Sequence, residues 1–482
     1  MAGIEQEILD LYLGAFGVER QEVGDGFRGF GDGPGPAALE QLRARLGEAR
    51  AARRALLQRL LWRAGRRGAQ RQADPSVAAG EVLGALVLAE LHGESERQEV
   101  LAALPGHLAA ALACAGDGPL GAGSRAFGAQ AASLAAGLLL ARGAQPELAE
   151  AGDVLGIAFM ACEHFVRGLD AMAETPGAEP MGAHPYADLL LAESGARLLP
   201  KEIAEAAFTA MHAELREARR IARLIAPGED LYAVVQGIGE DAPEHEGELA
   251  EAYRAARDAV AAAVADDFPA ASAPLEIALA PAHLHGLLPL TAYLPRSASD
   301  PAGTVLVSQA LGPMQSAHAR ARTYLAMAHD GLPGSHLLFC AAGEDKLRRL
   351  LLSPFAAQGW ALYAARFAAG RMGSEKVQLV AALDGAQRAA RAFADAALHA
   401  QIAPRAQILE VLANALGLPE PLAEGELQAV ARQPGSGALP WWLAQDIADR
   451  VRRAQDGGAT LRAAHEAVLA GGALPQMEEA SA

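Results

Sequence analysis

The stretch LLPKEIAEAAFTAMHAELREARRIARLI, residues 198–225, carries apolar residues three and four positions apart from Pro200 onwards. This spacing places them on one face of an α-helix, and proline is favoured at the first position of a helix. Alanine and leucine dominate the whole chain, whereas aromatic residues make up 5% of it. We therefore predict a mainly α protein. The same periodicity predicts helices over 38–67, 76–93, 95–115, 125–142, 147–172, 245–265 and from about 315 to the C terminus.

Residues 272–310 have a different composition from the rest of the chain. Short apolar runs such as LEIAL and GTVLV alternate there with proline, serine, aspartate and glycine, which is typical of strands and turns. We predict a small antiparallel β element with its turn at SASDPAG, residues 297–303. A second break, ETPGAEPMGAHPY at 174–186, predicts a boundary between an N-terminal helical sub-domain, 1–180, and a C-terminal one, 181–482.

The charge balance argues against several classes of protein. The formal net charge is −17, and nucleic-acid binding needs a basic surface for phosphate contacts. The stretch from Arg43 to Arg71 mixes arginines with leucines, which predicts a helix with one solvated face and one apolar face in the core. No apolar run reaches the ~20 residues that span a bilayer, and the acidic N terminus lacks a signal-peptide pattern. We predict a cytoplasmic protein without a nucleic-acid or membrane partner.

Three further patterns carry little functional information. Cys114, Cys162 and Cys340 lie far apart without CxxC spacing, which predicts buried apolar residues rather than disulfides or a cysteine-built metal site. GDGFRG at 24–29 is a GxGxxG motif, but it follows a predicted helix rather than a strand, as a dinucleotide site would require. The two histidines of HLH at 283–285 would share one face of a strand, and we expect a loop role for them.

The stretch LAMAHDGLPGSHLLF, residues 325–339, is the strongest candidate for a functional site. In zinc hydrolases of the H-E-x-x-H type, two histidines one helical turn apart bind the metal and a glutamate beside the first activates water. Here His329 is followed by Asp330, and the next histidine is His336, about 10 Å further on in an unbroken helix. A shared zinc therefore requires a bend, which the Pro-Gly pair between the histidines would supply.

Together these motifs resemble a known family, the bacterial metallopeptidase-like proteins grouped as domain of unknown function 885 (DUF885). The family signature runs H-E-x-x-P-G-H-H and is followed by E-G-W-A-L-Y-A-E, and this chain has HDGLPGSH at 329–336 and QGWALYAA at 358–365. Similar segments in the family order are AYLPRSASDPAGTVLVSQA, RAARAFADAALHA (388–400) and PGSGALPWW (434–442). The resemblance implies a large multi-helical zinc-peptidase-like fold around a cleft.

The departures from the family signature fall on its polar residues. Asp330 stands where the family has the glutamate expected to activate water, and Ser335 replaces the first histidine of the family's His pair. Gln358 replaces a glutamate that resembles a third metal ligand, and 438–442 lacks the family's tyrosine and lysine. A neutral amide is a weaker zinc ligand than a carboxylate. We therefore expect a large loss of zinc affinity and of water activation.

The resemblance and its departures lead to one functional prediction. We predict a divergent metallopeptidase-like protein that has lost zinc-dependent peptide hydrolysis and needs no cofactor. Its cleft would bind a peptide-like or carboxylate-bearing small molecule, or act on it by metal-free acid/base chemistry. The catalytic candidates are His329, Asp330, His336 and Tyr363. The candidates for substrate binding are Gln358, Trp360, Arg388, Arg391, Asp395 and His399.

Two alternatives remain open at this stage. A working zinc hydrolase would bind the metal through His329, His336 and Gln358, and would lose hydrolysis when His329 is replaced by alanine. A non-catalytic scaffold would instead bind a partner through the arginine-rich stretch. The polar residues of the segment 388–399 share one helix face, which fits a cleft wall and a salt-bridged internal helix equally well.

Overall fold

The computed structural model describes residues 3–22, 27–31, 33–92, 94–115, 124–142, 154–172, 180–280, 288, 290–295, 302–308, 315–352 and 355–473. The prediction of a mainly α protein is confirmed. The helices of the N-terminal part are α1 Ile4–Ala15, α2 Gly17–Glu22, α3 Pro36–Ala44, α4 Ala51–Ala73, α5 Ser76–His92, α6 Glu94–Ala115, α7 Ser124–Arg142 and α8 Val154–Ala171. They are followed by α9 Ala183–Ser194, α10 Pro200–Ile225, α11 Leu231–Gly239 and α12 Glu246–Val264.

Three short strands and nine further helices complete the described chain. The strands are β1 Leu275–Leu279, β2 Thr291–Leu294 and β3 Gly303–Val307. The remaining helices are α13 Arg320–Asp330, α14 Ser335–Ala342, α15 Lys346–Leu352, α16 Phe355–Arg371, α17 Glu375–His399, α18 Arg405–Leu416, α19 Glu420–Arg432, α20 Ala438–Asp456 and α21 Leu461–Ala470. Of these described helices, none is long and apolar enough to cross a membrane.

The first of two compact units comprises residues 1–179, 296–301 and 346–351. Helices α5 to α8 pack together in it. Leu57, Leu60 and Leu61 of α4 lie in the core, as predicted for the apolar face of the arginine-rich stretch, but Arg59 and Arg63 of the same helix are buried too. The GxGxxG glycines 24 and 26 lie outside the described residues.

The prediction of buried cysteines holds at two of the three positions. Cys162 and Cys340 are buried, whereas Cys114 is exposed, so the prediction is wrong for Cys114. It lies in the last turn of α6, which ends at Ala115, beyond the apolar residues Leu108 and Ala111 that pack in the core. The spacing of apolar residues along a helix does not show where the packed part of that helix stops.

The second unit comprises residues 180–295, 302–345 and 352–482. Its two longest helices, α10 and α17, pack along each other. The apolar stripe of α10 that the sequence predicted is buried, and it includes Ile203, Ala207, Met211 and Leu215 at four-residue spacing. Repeats of four residues keep side chains on one face over several turns.

The β element is a mixed sheet rather than the antiparallel one predicted. The strand order is β1-β3-β2, in which β3 pairs parallel with β1 and antiparallel with β2. All five residues of β3 are buried, so the continuous apolar run GTVLV takes the central position, where both neighbours cover it. The predicted turn at 297–303 and HLH at 283–285 fall largely or wholly outside the described residues.

A sharp break separates α13 from α14 at the Pro-Gly pair of the HDGLPGSH motif. A Cβ atom at Gly334 would lie 1.8 Å from the carbonyl oxygen of His329, so the bend requires glycine there. The indole Nε1 of the fully buried Trp360 donates to the carbonyl oxygens of Pro333 at 2.9 Å and Gly334 at 3.1 Å. The core of the unit therefore fixes the direction in which α14 leaves the break.

Candidate functional site

A cavity of about 1660 Å³ opens in the second unit. Helices α10, α11, α13, α14, α16, α17 and α18 and strand β2 line it. Its charged lining residues are Arg219, Arg223, Arg322, Arg388, Arg391, Glu229, Asp230, Asp330 and Asp384. The volume exceeds the range of about 300–1,000 Å³ that is usual for small-molecule sites, so the cavity has room for an elongated ligand.

His329 and Asp330 form a hydrogen-bonded pair at the wall of this cavity. The ring Nδ1 of His329 lies 2.7 Å from Oδ1 of Asp330, and the hydroxyl of Thr291 donates to Oδ2 at 2.5 Å. Burial raises the pKa of Asp330, but the charge of His329 and the hydrogen bonds from His329 and Thr291 outweigh it and hold that pKa below its usual value. The carboxylate is therefore ionised and orients the imidazole.

The hydrogen bond to Asp330 decides which nitrogen of His329 can accept a proton from a ligand in the cavity. An ionised carboxylate accepts a hydrogen bond, so in the neutral form of His329 Nδ1 carries the proton and Nε2 has the lone pair. His329 lines the cavity, and Nε2 has no hydrogen bond to any residue of the described ranges. A histidine held in this way can take a proton from a ligand or from water, with the carboxylate stabilising the resulting imidazolium.

The break between α13 and α14 sends the two residues of the Ser-His pair in different directions. Ser335 lines the cavity. His336 is 1% exposed, and its ring nitrogens lie 3.2 Å from the hydroxyl of Tyr293 and 3.0 Å from the carbonyl oxygen of Ala273. Both nitrogens of His336 are thus engaged with the sheet region, and His336 is not among the described residues that line the cavity.

The three predicted site residues of α16 have different surroundings. Gln358 is exposed and lines the cavity. Trp360 lies in the core beneath the Pro-Gly break. The hydroxyl of Tyr363 is 2.7 Å from Nε2 of the buried His465, and burial raises the pKa of this tyrosine. The structure therefore brings Gln358 to the cavity and places the other two in the packing below it.

The polar face of α17 divides into a cavity half and a buried half. Arg388 and Arg391 line the cavity, and each has an acidic partner, with Arg388 3.3 Å from Asp384. Arg391 donates to both carboxylate oxygens of Glu426, which occupies its planar fork. Asp395 and His399, further along α17, are fully buried and are absent from the described lining.

The buried half of this face holds other segments of the unit in place. Asp395 accepts hydrogen bonds from the backbone N–H groups of Gly435 at 3.0 Å, Gly437 at 2.8 Å and Ala438 at 2.9 Å. These donors lie at the start of α20, so the carboxylate caps that helix. Nε2 of His399 lies 3.1 Å from the carbonyl oxygen of Val430. Both residues have structural partners in the described chain.

The donors around His329 do not fit the zinc shell that the family resemblance implies. Cavity-lining Ser335 and Gln358 offer only neutral oxygens, His336 is engaged elsewhere, and the carboxylate of Asp330 bonds to His329 and Thr291. Within the described part of the chain, no group of three or more His, Cys, Asp and Glu side chains is placed to hold a metal ion. Tight zinc sites use at least three strong nitrogen, sulfur or carboxylate ligands.

Two residues of the site were missed by sequence reasoning. Thr291 lies at the start of β2, and its bond to Asp330 joins positions 39 residues apart, so no local pattern indicates it. Arg322 lies seven residues before His329 on α13, which puts both on one face after two helical turns. That spacing was a usable signal, because an arginine two turns before a candidate catalytic histidine faces the same cavity.

Comparison with known proteins agrees with the family suggested by the motifs. The family model for "Bacterial protein of unknown function (DUF885)" matches residues 35–477, and the chain belongs to this family. No curated protein matches it significantly. The fold is similar to that of a "putative lipoprotein" from Colwellia psychrerythraea, with a TM-score of 0.70 at 15% identity over 98% of this chain and 97% of the other.

A second solved structure is equally similar in fold. It is a "putative lipoprotein of unknown function" from Shewanella oneidensis, with a TM-score of 0.69 at 14% identity over 98% of this chain and 97% of that one. Similarity at this level of identity shows a shared fold and does not show a shared activity. Because the printed description of both neighbours is "putative lipoprotein", the cytoplasmic location remains a prediction from the sequence.

Proposed function

We propose that this member of the DUF885 family does not use zinc and that its cavity takes a peptide-like or carboxylate-bearing ligand for metal-free acid/base chemistry. The observation that carries the proposal is the Thr291–Asp330–His329 chain of hydrogen bonds at the cavity wall. In this proposal His329 Nε2 takes a proton from a water that attacks an amide carbonyl of the ligand, and gives that proton to the amine that leaves as the C–N bond breaks. The carboxylate of Asp330 stabilises the imidazolium, and Thr291 fixes the carboxylate.

Ser335 and His336 point in different directions, and this supports the proposal that the protein does not use zinc. The position of this pair that faces the cavity holds a serine, while the histidine is bound to Tyr293 and the backbone of Ala273. Gln358, where the family motif has glutamate, supplies no charge. A zinc ion at His329 would therefore have one imidazole and neutral oxygens, which bind it weakly.

A first experiment measures zinc directly. Wild-type protein is incubated with excess zinc, freed of unbound metal by gel filtration and analysed by elemental mass spectrometry. We expect far less than one zinc per chain, whereas the triple variant Asp330→Glu, Ser335→His, Gln358→Glu should approach about one. Adding His336→Gln to that variant should leave its zinc content unchanged, since this imidazole faces the sheet. Stoichiometric zinc in wild type that His329→Ala removes would overturn the proposal.

A second experiment tests the acid/base role. Short peptides and N-acyl amino acids are screened for binding and for turnover, with and without a chelator. Any turnover should survive chelation and fall by about 10²–10⁴-fold in His329→Gln, the usual contribution of a general base. The matched control is His184→Gln, because this histidine is exposed and lies outside the cavity lining. Turnover that a chelator abolishes, or equal turnover in His329→Gln and wild type, would contradict the assignment.

A further inference from the structure

Arg322 differs from the two arginines of α17 that line the cavity. Arg388 bonds to Asp384, and Arg391 to Glu426. Arg322 also lines the cavity, but its Nε is buried and has no hydrogen-bond partner in the described part of the chain. A buried donor without an acceptor destabilises the folded protein. The part of the guanidinium that lines the cavity is where an oxygen acceptor of a ligand would bond.

The charges around Arg322 leave its guanidinium without an ion pair. Asp384 lies close enough to influence Arg322 electrostatically, but its hydrogen bond goes to Arg388, on which Asp330 also acts. Among the described residues, no carboxylate forms an ion pair with Arg322. The carboxylate of a ligand would supply this partner, and its planar geometry matches the two-pronged guanidinium fork.

The position of Arg322 relative to His329 sets a length for the ligand. Both residues lie on α13, and Leu325 and Ala326 between them line the same cavity. Seven residues of α-helix span about 10 Å at 1.5 Å per residue. An extended peptide covers about 3.3–3.6 Å per residue, so about three residues separate a group held by Arg322 from a group facing His329.

We propose that Arg322 anchors the terminal carboxylate of a peptide-like ligand and places the group about three residues before that carboxylate at His329. The inference rests on the proposed function of the cavity and adds to it the end of the ligand that is recognised and the spacing to the reacting group. The charges on α13 favour this orientation of the peptide, because the helix carries the cationic Arg322 near one end and Asp330 at the other.

The test compares matched peptides on wild-type protein. The probes are N-acetyl-(Ala)₃ as the free acid and as its C-terminal amide, with affinities measured by isothermal titration calorimetry. We expect the acid to bind at least about tenfold more tightly, since only the acid can form a charge-assisted bidentate pair with Arg322. In Arg322→Gln the acid should weaken to the affinity of the amide. Arg223→Gln is the control, because this exposed arginine also lines the cavity.

A length series tests the spacing. N-acetyl alanine acids of one to four residues are titrated against wild type and His329→Gln. The histidine substitution should change the affinity of the acids with three and four residues and leave that of the shorter ones unaltered. Circular dichroism and the urea midpoint check that Arg322→Gln is folded. Arg322→Lys, which keeps the charge without the fork, should bind the acid with intermediate affinity.

The outcomes separate this inference from the proposed function. Equal affinity of acid and amide for wild type would overturn the role of Arg322 while leaving the cavity as a peptide site, and this result does not depend on any variant folding. A loss of acid binding in Arg223→Gln as large as in Arg322→Gln would also overturn it. If neither peptide binds wild-type protein, the peptide-like ligand itself is wrong, and the inference falls with the proposed function.

Discussion

Substitution of Asp395 distinguishes a ligand-binding role from the capping role that its hydrogen bonds indicate. In Asp395→Asn, an amide replaces a carboxylate that accepts from the N–H groups of Gly435, Gly437 and Ala438. The best amide orientation keeps its oxygen on Gly437 and Ala438 and turns its NH₂ towards Gly435, where two donors face each other. The variant therefore loses one hydrogen bond outright and loses the charge assistance of the other two.

The expected magnitude follows from these three bonds. One lost bond to a charged acceptor contributes about 1.5–3 kcal/mol. The burial of Asp395, which raises its pKa, offsets part of the gain from the charge, so we expect Asp395→Asn to lower the unfolding free energy by about 2 kcal/mol. Asp395→Ala leaves all three N–H groups without an acceptor, at about 1–3 kcal/mol each before relaxation. We expect a loss of about 3–5 kcal/mol for this variant.

The assay is urea denaturation followed by circular dichroism, with the unfolding free energy taken from midpoint and slope. The control is Asp449→Asn on α20, which disrupts a surface ion pair with Arg452 and should change the unfolding free energy by less than about 0.5 kcal/mol. Peptide binding should be unaltered in folded Asp395→Asn. A change no larger than that of the control, combined with loss of peptide binding, would refute the capping role and return Asp395 to the ligand site.

Three further predictions concern the core around the site. Trp360→Phe should lower the unfolding free energy by about 1–3 kcal/mol in urea denaturation, because the carbonyl groups of Pro333 and Gly334 lose their shared donor. His336→Ala should destabilise by about 2–4 kcal/mol through its lost partners and cavity, with peptide affinity within about twofold of wild type; a selective loss of affinity would contradict this. Burial lowers the pKa of His465 below its usual 6.5, so on acidification this histidine takes up a proton in the unfolded state before it does so in the folded state. The unfolding free energy should therefore be highest above pH 6.5 and fall below it by up to about 1.4 kcal/mol per pH unit. Thermal unfolding between pH 7.5 and 5.5 should show a smaller loss for His465→Gln than for wild type, and an equal loss would contradict it.

The helical class and most helix positions could be predicted because they depend on local spacing. The stripe of α10, from Ile203 onwards, follows from apolar residues three and four apart. The direction of β1 relative to β3 could not be predicted, since it depends on which strand takes the centre of the sheet. Burial of GTVLV along its whole length decides that, and burial is a property of the assembled core.

The candidate site was predictable in part for the same reason. The His329–Asp330 pair could be predicted because the two residues are adjacent in the sequence. Thr291, by contrast, reaches Asp330 only after β2 pairs with β3. The sequence also could not show which of Ser335 and His336 faces the cavity. That choice depends on the rotation of α14 about the break, which Trp360 fixes from 26 residues away through its bond to Gly334.

The placement of Ser335 and His336 on neighbouring positions of α14 has a consequence for which substitutions this chain can accept. Consecutive residues of a helix point about 100° apart, so one faces the cavity while the other is bonded to Tyr293 and Ala273 beside the sheet. A substitution at 335 therefore alters the reagent that a ligand meets and leaves the attachment of α14 intact. A substitution at 336, by contrast, breaks the bonds to Tyr293 and Ala273, and its first effect is on stability.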